Sequence, residues 1–223
     1  VLKKVLIFII FNILLVFGTE LNFKVEQKCV HINEFSKQQI DVLLYAYLYG
    51  KEHGFGYTMA AIAWQESCSG EYLLNFQDPS AGIYHALIPG VIKKYTKYRD
   101  SKFLRNIIGQ MLISNPEFAS SIALDELKYW KRIRKGNFKS IIKSYNKGFS
   151  WEKNHRANRM ATNYYLDISK KIKALQNFIP KKLKHYDYKT PSLDLDYSIK
   201  KEDKFKPYKK DSKTPTYYLL KEK

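Results

Sequence analysis

The chain has 223 residues, of which 39 are Lys or Arg and 21 are Asp or Glu, for a formal charge of +18. With 45% hydrophobic and 15% aromatic residues it can bury the core of one domain, which excludes wholesale disorder, and two cysteines exclude a disulfide framework or a four-cysteine zinc site. A pI near 9.6 points to an anionic partner such as nucleic acid, anionic lipid or an acidic wall polymer, although AT-rich codon usage, which raises Lys, Ile, Asn, Tyr and Phe together, also accounts for part of the charge.

At the start of the chain, Lys3-Lys4 precedes an apolar run over residues 5–17 that ends at Gly18-Thr19. A basic n-region, an apolar h-region and small residues at its end match a secretory signal peptide over residues 1–19. The run is shorter than the ~20 residues that span a bilayer. Bulky residues around Gly18 and Thr19 leave two outcomes open, cleavage there or retention as an anchor, and only the anchor would bring the protein into contact with a membrane. No cysteine ends the run, so a lipoprotein is not indicated. Export to the periplasm or cell envelope directs the basic surface away from intracellular nucleic acid. It also places Cys29 and Cys68 in an oxidising compartment, where they form one disulfide or remain two thiols.

Residues 20–35 form an N-terminal segment, and residues 36–179 are expected to be a helical domain with almost no alternating strand pattern. Ser36 and Gln39 have capping-box spacing, and Ile40, Leu43, Leu44, Tyr47 and Leu48 then share one helical face up to Gly54. Further helices are expected over residues 57–68, 87–98, 103–113 and 116–133, the last with Asn115 as cap and Pro116 in its first turn. Asn137 opens a short helix to about residue 145, and a long one covers roughly residues 153–177. Residues 70–86, with Asp78-Pro79-Ser80-Ala81-Gly82, are expected to be a loop. Pro180 closes the helical part. Residues 181–223 carry 13 Lys against 7 acids and three prolines with no amphipathic period, the pattern of a basic flexible tail.

The residue that stands out chemically is Glu66. Ile62 and Ala63 precede it by four and three, so the carboxyl projects from the apolar stripe of its helix. A carboxyl beside apolar groups is costly to ionise, and its raised pKa suits a general acid near neutrality. A rim glutamate that pairs with one of the many lysines is the bland alternative. Ile141 and Ile142 likewise turn Tyr145 inward, as a catalytic-site ring or a core aromatic. Glu71 and Asp78 could supply a second carboxylate, although Asp-Pro is also simply a turn signal. The five histidines show no metal-ligand spacing, and no phosphate loop or nucleophile motif is present, so no metal and no cofactor are expected.

Gln65-Glu66-Ser67 at a helix end, then Ser80-Ala81-Gly82-Ile83, then Tyr145-Asn146-Lys147-Gly148 resemble the soluble lytic transglycosylase domain, a relative of goose-type lysozyme. The resemblance covers about residues 36–175. It implies a mainly α, lysozyme-like domain in which Glu66 is the catalytic acid and base, Ser67 orients nearby groups, and Ser67, Ser80, Gly82, Tyr84, His85, Tyr145 and Asn146 contact glycan. One position departs from the pattern: Gly82-Ile83-Tyr84-His85 stands where Gly-Leu-Met-Gln is expected. His85 then replaces the glutamine as a donor, or the loop has shifted, or the activity is altered or lost. A Cys29–Cys68 bond would staple the N-terminal segment beside the cleft. The implied activity is non-hydrolytic cleavage of peptidoglycan to 1,6-anhydro ends, with glycan strands, and a wall or secretion-system protein, as partners. The competing expectation is an inactive peptidoglycan-binding protein of the same fold.

Overall fold

The computed structural model describes residues 28–75, 77–184 and 186. The expected signal segment, residues 1–19, and all but the first few residues of the expected tail lie outside the described residues.

Among the described residues the architecture is mainly α, with eight α-helices and one small sheet. Ser36 opens α1 (Lys37–Lys51): its hydroxyl accepts from the Gln39 amide while the Gln39 side chain accepts from the Ser36 amide. Val42, Leu43, Leu44, Tyr45 and Ala46 are all buried, as in a helix that meets neighbours on every side. α2 (Gly56–Ser67) is the central helix, and its Met59, Ala60, Ala61, Ile62 and Ala63 have no solvent exposure. The small side chains let it pack closely against α1 on one side and the last helix on the other. It stops at Cys68 and Ser69, whose φ of 51° and 58° are left-handed, followed by Gly70 at 88°. Here the first described residues return to the body: Cys29 is disulfide-bonded to Cys68 across a Cα separation of 5.3 Å, and Ile32 and Phe35 are buried.

Residues 70–86, expected to be a loop, carry three antiparallel strands of two residues each: β1 (Leu74–Asn75), β2 (Ser80–Ala81) and β3 (Ala86–Leu87). Leu74 pairs with Ala81 and Ala81 with Ala86. Strands this short contain no full alternation, so the turn residues between them are all that the sequence displays. α3 (Ile88–Tyr95), α4 (Lys102–Ser114) and α5 (Pro116–Ile133) follow, the last two capped by the Ser101 and Asn115 side chains. Asn137 caps α6 (Phe138–Lys147), and a single turn, α7 (Ser150–Lys153), leads to α8 (His155–Leu183), capped by Asn154.

α8 passes through Pro180, where the helical part was expected to end. A proline removes one backbone bond and crowds the preceding turn, but here only the last turn bears that cost. Ile179 is fully buried and Leu183 packs on the same core, so burial carries the helix past the break.

Candidate functional site

Glu66 lies on the last turn of α2, at the floor of a cleft of about 550 Å³. One wall comes from the sheet and its turns, with Asn75, Asp78, Ser80 and His85; the other comes from α5 and α6, with Glu126, Tyr145, Asn146 and Lys147. The Glu66 side chain retains 23% of its exposure, so it lines the cleft while most of it is enclosed. Tyr164 on α8 donates to Glu66 Oε1 at 2.6 Å. His85 Nδ1 lies 3.9 Å from Glu66 Oε2. Burial lifts the Glu66 carboxyl to about 7, the Tyr164 hydrogen bond pulls it down, and the charge of Asp78 pushes it up again. At neutral pH the group is therefore poised between acid and base.

The sheet wall is held by short polar contacts. Ser80 Oγ donates to Asp78 Oδ1 at 2.5 Å, and Ile88 N to the Pro79 carbonyl at 2.9 Å. Gly82, at φ +83°, lies outside the cleft but sets its shape: a Cβ there would come within 2.5 Å of the Leu112 carbonyl oxygen. Only glycine allows β2 to lie this close to α4. Tyr84 forms part of the cleft floor with 2% exposure, its hydroxyl 3.0 Å from Ser120 Oγ, so its role is to support the cleft more than to contact a ligand. His85 Nε2 bonds the Tyr72 carbonyl at 2.7 Å, and burial lowers the pKa of the ring.

Ser67 differs from its expected place among the glycan contacts. It is fully buried, with Oγ donating to the Ile83 carbonyl at 2.8 Å and accepting from Gly70 N at 2.9 Å. Helical geometry explains this: the residue after Glu66 is turned about 100° around the helix axis, into the body of the protein. Tyr145 and Asn146 line the cleft as expected, Tyr145 with its hydroxyl pushed up by burial and by the nearby Glu66. Gly148 ends α6 with φ +56° and ψ −132°, a backbone conformation that glycine adopts without strain.

The far wall is braced behind the cleft by Arg134. Its Nε donates to Ser144 Oγ at 2.8 Å, and its terminal nitrogens reach Glu152 at 2.7 and 3.0 Å. The guanidinium also lies 5.0–5.3 Å from the ring centres of Trp130, Phe149 and Trp151.

Sequence reasoning missed Tyr164, Glu126 and Lys147 as members of the site. For Tyr164 a signal existed: Ala161 and Ile168 flank it at helical spacing, and all three are buried, so an inward hydroxyl needed a partner. Asp78, one of two candidates for a second carboxylate, lines the cleft, whereas Glu71 is exposed on the loop outside it. Among the described residues no group of three or more His, Cys, Asp or Glu could hold a metal ion.

Fold and cleft together define a mainly helical protein with an acid, held half-protonated near neutrality, at the floor of a polar groove. The chain is 30% identical over 158 residues to an uncharacterized 20.7 kDa protein of the vs-regB intergenic region of Enterobacteria phage T4, a match that takes in 60% of this chain and 86% of the phage protein, and it belongs to that protein's family. No protein-family model matches the chain, and no solved structure matches it.

Proposed function

We propose that the protein is a lytic transglycosylase that cleaves peptidoglycan between N-acetylmuramic acid and N-acetylglucosamine. The observation that carries this reading is the Glu66 carboxyl, lifted to about 7 at the floor of the cleft, with Tyr164 donating to one oxygen and His85 beside the other. Its proton passes to the glycosidic oxygen as the bond to C1 breaks. The carboxylate then takes the proton of the muramoyl C6 hydroxyl, whose oxygen bonds to C1, and Glu66 is restored without water entering the products. In this reading residues 1–19 act as an export signal and the enzyme works in the periplasm or cell envelope.

A second reading is favoured by one observation: Asp78 lines the same cleft and its charge bears on Glu66. A hydrolase needs a base on the opposite face of the sugar, and Asp78 would activate water there. Mass spectrometry of digested sacculi separates the two, since transglycosylation leaves anhydro-muramoyl ends and hydrolysis leaves reducing ends. The Glu66→Gln variant is expected to release neither, at a rate reduced by about three orders of magnitude or more, with the fold intact by circular dichroism. Undiminished release of anhydro ends by that variant would remove Glu66 from the reaction.

A further inference from the structure

His85 has φ +44°, a left-handed backbone that non-glycine residues adopt rarely, and its side chain is 5% exposed. The ring is held from behind by the Tyr72 carbonyl, 2.7 Å from Nε2. A carbonyl only accepts, so Nε2 carries the proton, and the neutral ring keeps its lone pair on Nδ1. Nδ1 faces Glu66 Oε2 at 3.9 Å, while Oε1 receives the Tyr164 hydroxyl at 2.6 Å. The two oxygens of one carboxyl thus meet opposite environments, a donor on one side and an acceptor on the other.

We propose that His85 is a positioning residue for Glu66: its lone pair, set against the Tyr164 donor, keeps the carboxyl proton on Oε2, the oxygen turned toward the imidazole. At 3.9 Å the ring is too far to form a hydrogen bond, so it biases the proton without capturing it. The neutral imidazole also replaces the glutamine amide of transglycosylases with an acceptor, so at neutral pH this position does not donate to a glycan. That Oε2 delivers the proton to a sugar rests on the proposed function; where the proton sits does not.

Other charges bear on the pair from each neighbouring element. Asp78, between β1 and β2, raises the proton affinity of both groups. Lys147 from α6 and Lys171 from α8 favour the Glu66 carboxylate. Tyr145 and Tyr164 stay neutral, since burial pushes both hydroxyls up. Burial raises the carboxyl and lowers the imidazole, so a proton shared by the pair resides on Glu66.

The test uses the full chain labelled for nuclear magnetic resonance, with His ring nitrogens assigning the tautomer and the Glu66 side-chain carbon its titration. The wild type is expected to show the Nε2–H tautomer at neutral pH. In His85→Gln an amide donor facing Oε2 should lower the Glu66 midpoint by about 0.5 pH unit or more, and the alkaline limb of glycan release should fall by the same amount. An Nδ1–H tautomer in the wild type, or an unmoved midpoint in a folded variant, overturns the proposal. If His85→Gln fails to fold, the wild-type tautomer decides alone. Sacculi left intact by a wild type that shows the expected tautomer and midpoints would overturn the transglycosylase reading and leave the placement of the proton standing.

Discussion

Glu66 shows how burial and chemistry oppose one another at a single side chain. In the unfolded chain its carboxyl titrates near 4.5, and in the folded chain near 7. Between those values the folded protein holds a proton that the unfolded chain has released, so stability falls as pH rises, by up to about 3 kcal/mol. Glu66→Gln removes that dependence. Urea melts should find the variant more stable than the wild type at pH 8 and the gap closed at pH 4; a gap of equal size at both values would contradict the assigned burial. This residue was legible in the sequence because Ile62 and Ala63, four and three positions before it, define its direction. For Tyr164 the inward direction was legible from Ala161 and Ile168, but its pairing with Glu66 was not, because the two lie 98 positions apart and the register of α8 against α2 is set only by tertiary packing.

At the scale of elements, the helices were legible and the sheet was not, for one physical reason. Caps and apolar periods such as Ser36 to Gln39, or Asn115 with Pro116, act within a few residues, whereas the two-residue strands are defined by hydrogen bonds across turns. Pro180 misled for the converse reason, since a local break was overridden by the burial of Ile179. The contact of β2 with α4 makes Gly82 the most sensitive glycine of the site. Gly82→Ala is expected to cost about 2–4 kcal/mol, because a left-handed φ and a clash with the Leu112 backbone add together. Gly54→Ala, at φ +76° with nothing within 4 Å, should cost only about 1 kcal/mol. Denaturant titration of both variants checks this, and equal losses would show that the backbone conformation, not the close approach, decides the outcome.

For the molecule as a whole, the +18 charge and the chemistry of the cleft separate. The cleft is mixed, with Lys94 and Lys147 set against Glu66, Asp78 and Glu126, so the excess of cations lies elsewhere on the chain. In the proposed function that excess retains the enzyme on an anionic polymer. The Cys29–Cys68 bond closes a separation of 39 residues, and chain entropy predicts a loss of about 3–4 kcal/mol when it is removed. Cys29→Ser paired with Cys68→Ser should lower the midpoint of thermal unfolding, while reduction of the double variant changes nothing further. An unchanged midpoint would mean that the packing of Ile32 and Phe35 already holds the segment. The buried Ser67 hydroxyl has a consequence of a different kind. It bonds the residue after Glu66 to the residue two before His85, so the acid on the floor and the imidazole on the sheet wall are tied through the backbone as one unit. Any rearrangement of the groove that preserves this bond leaves the spacing of the reactive pair in place.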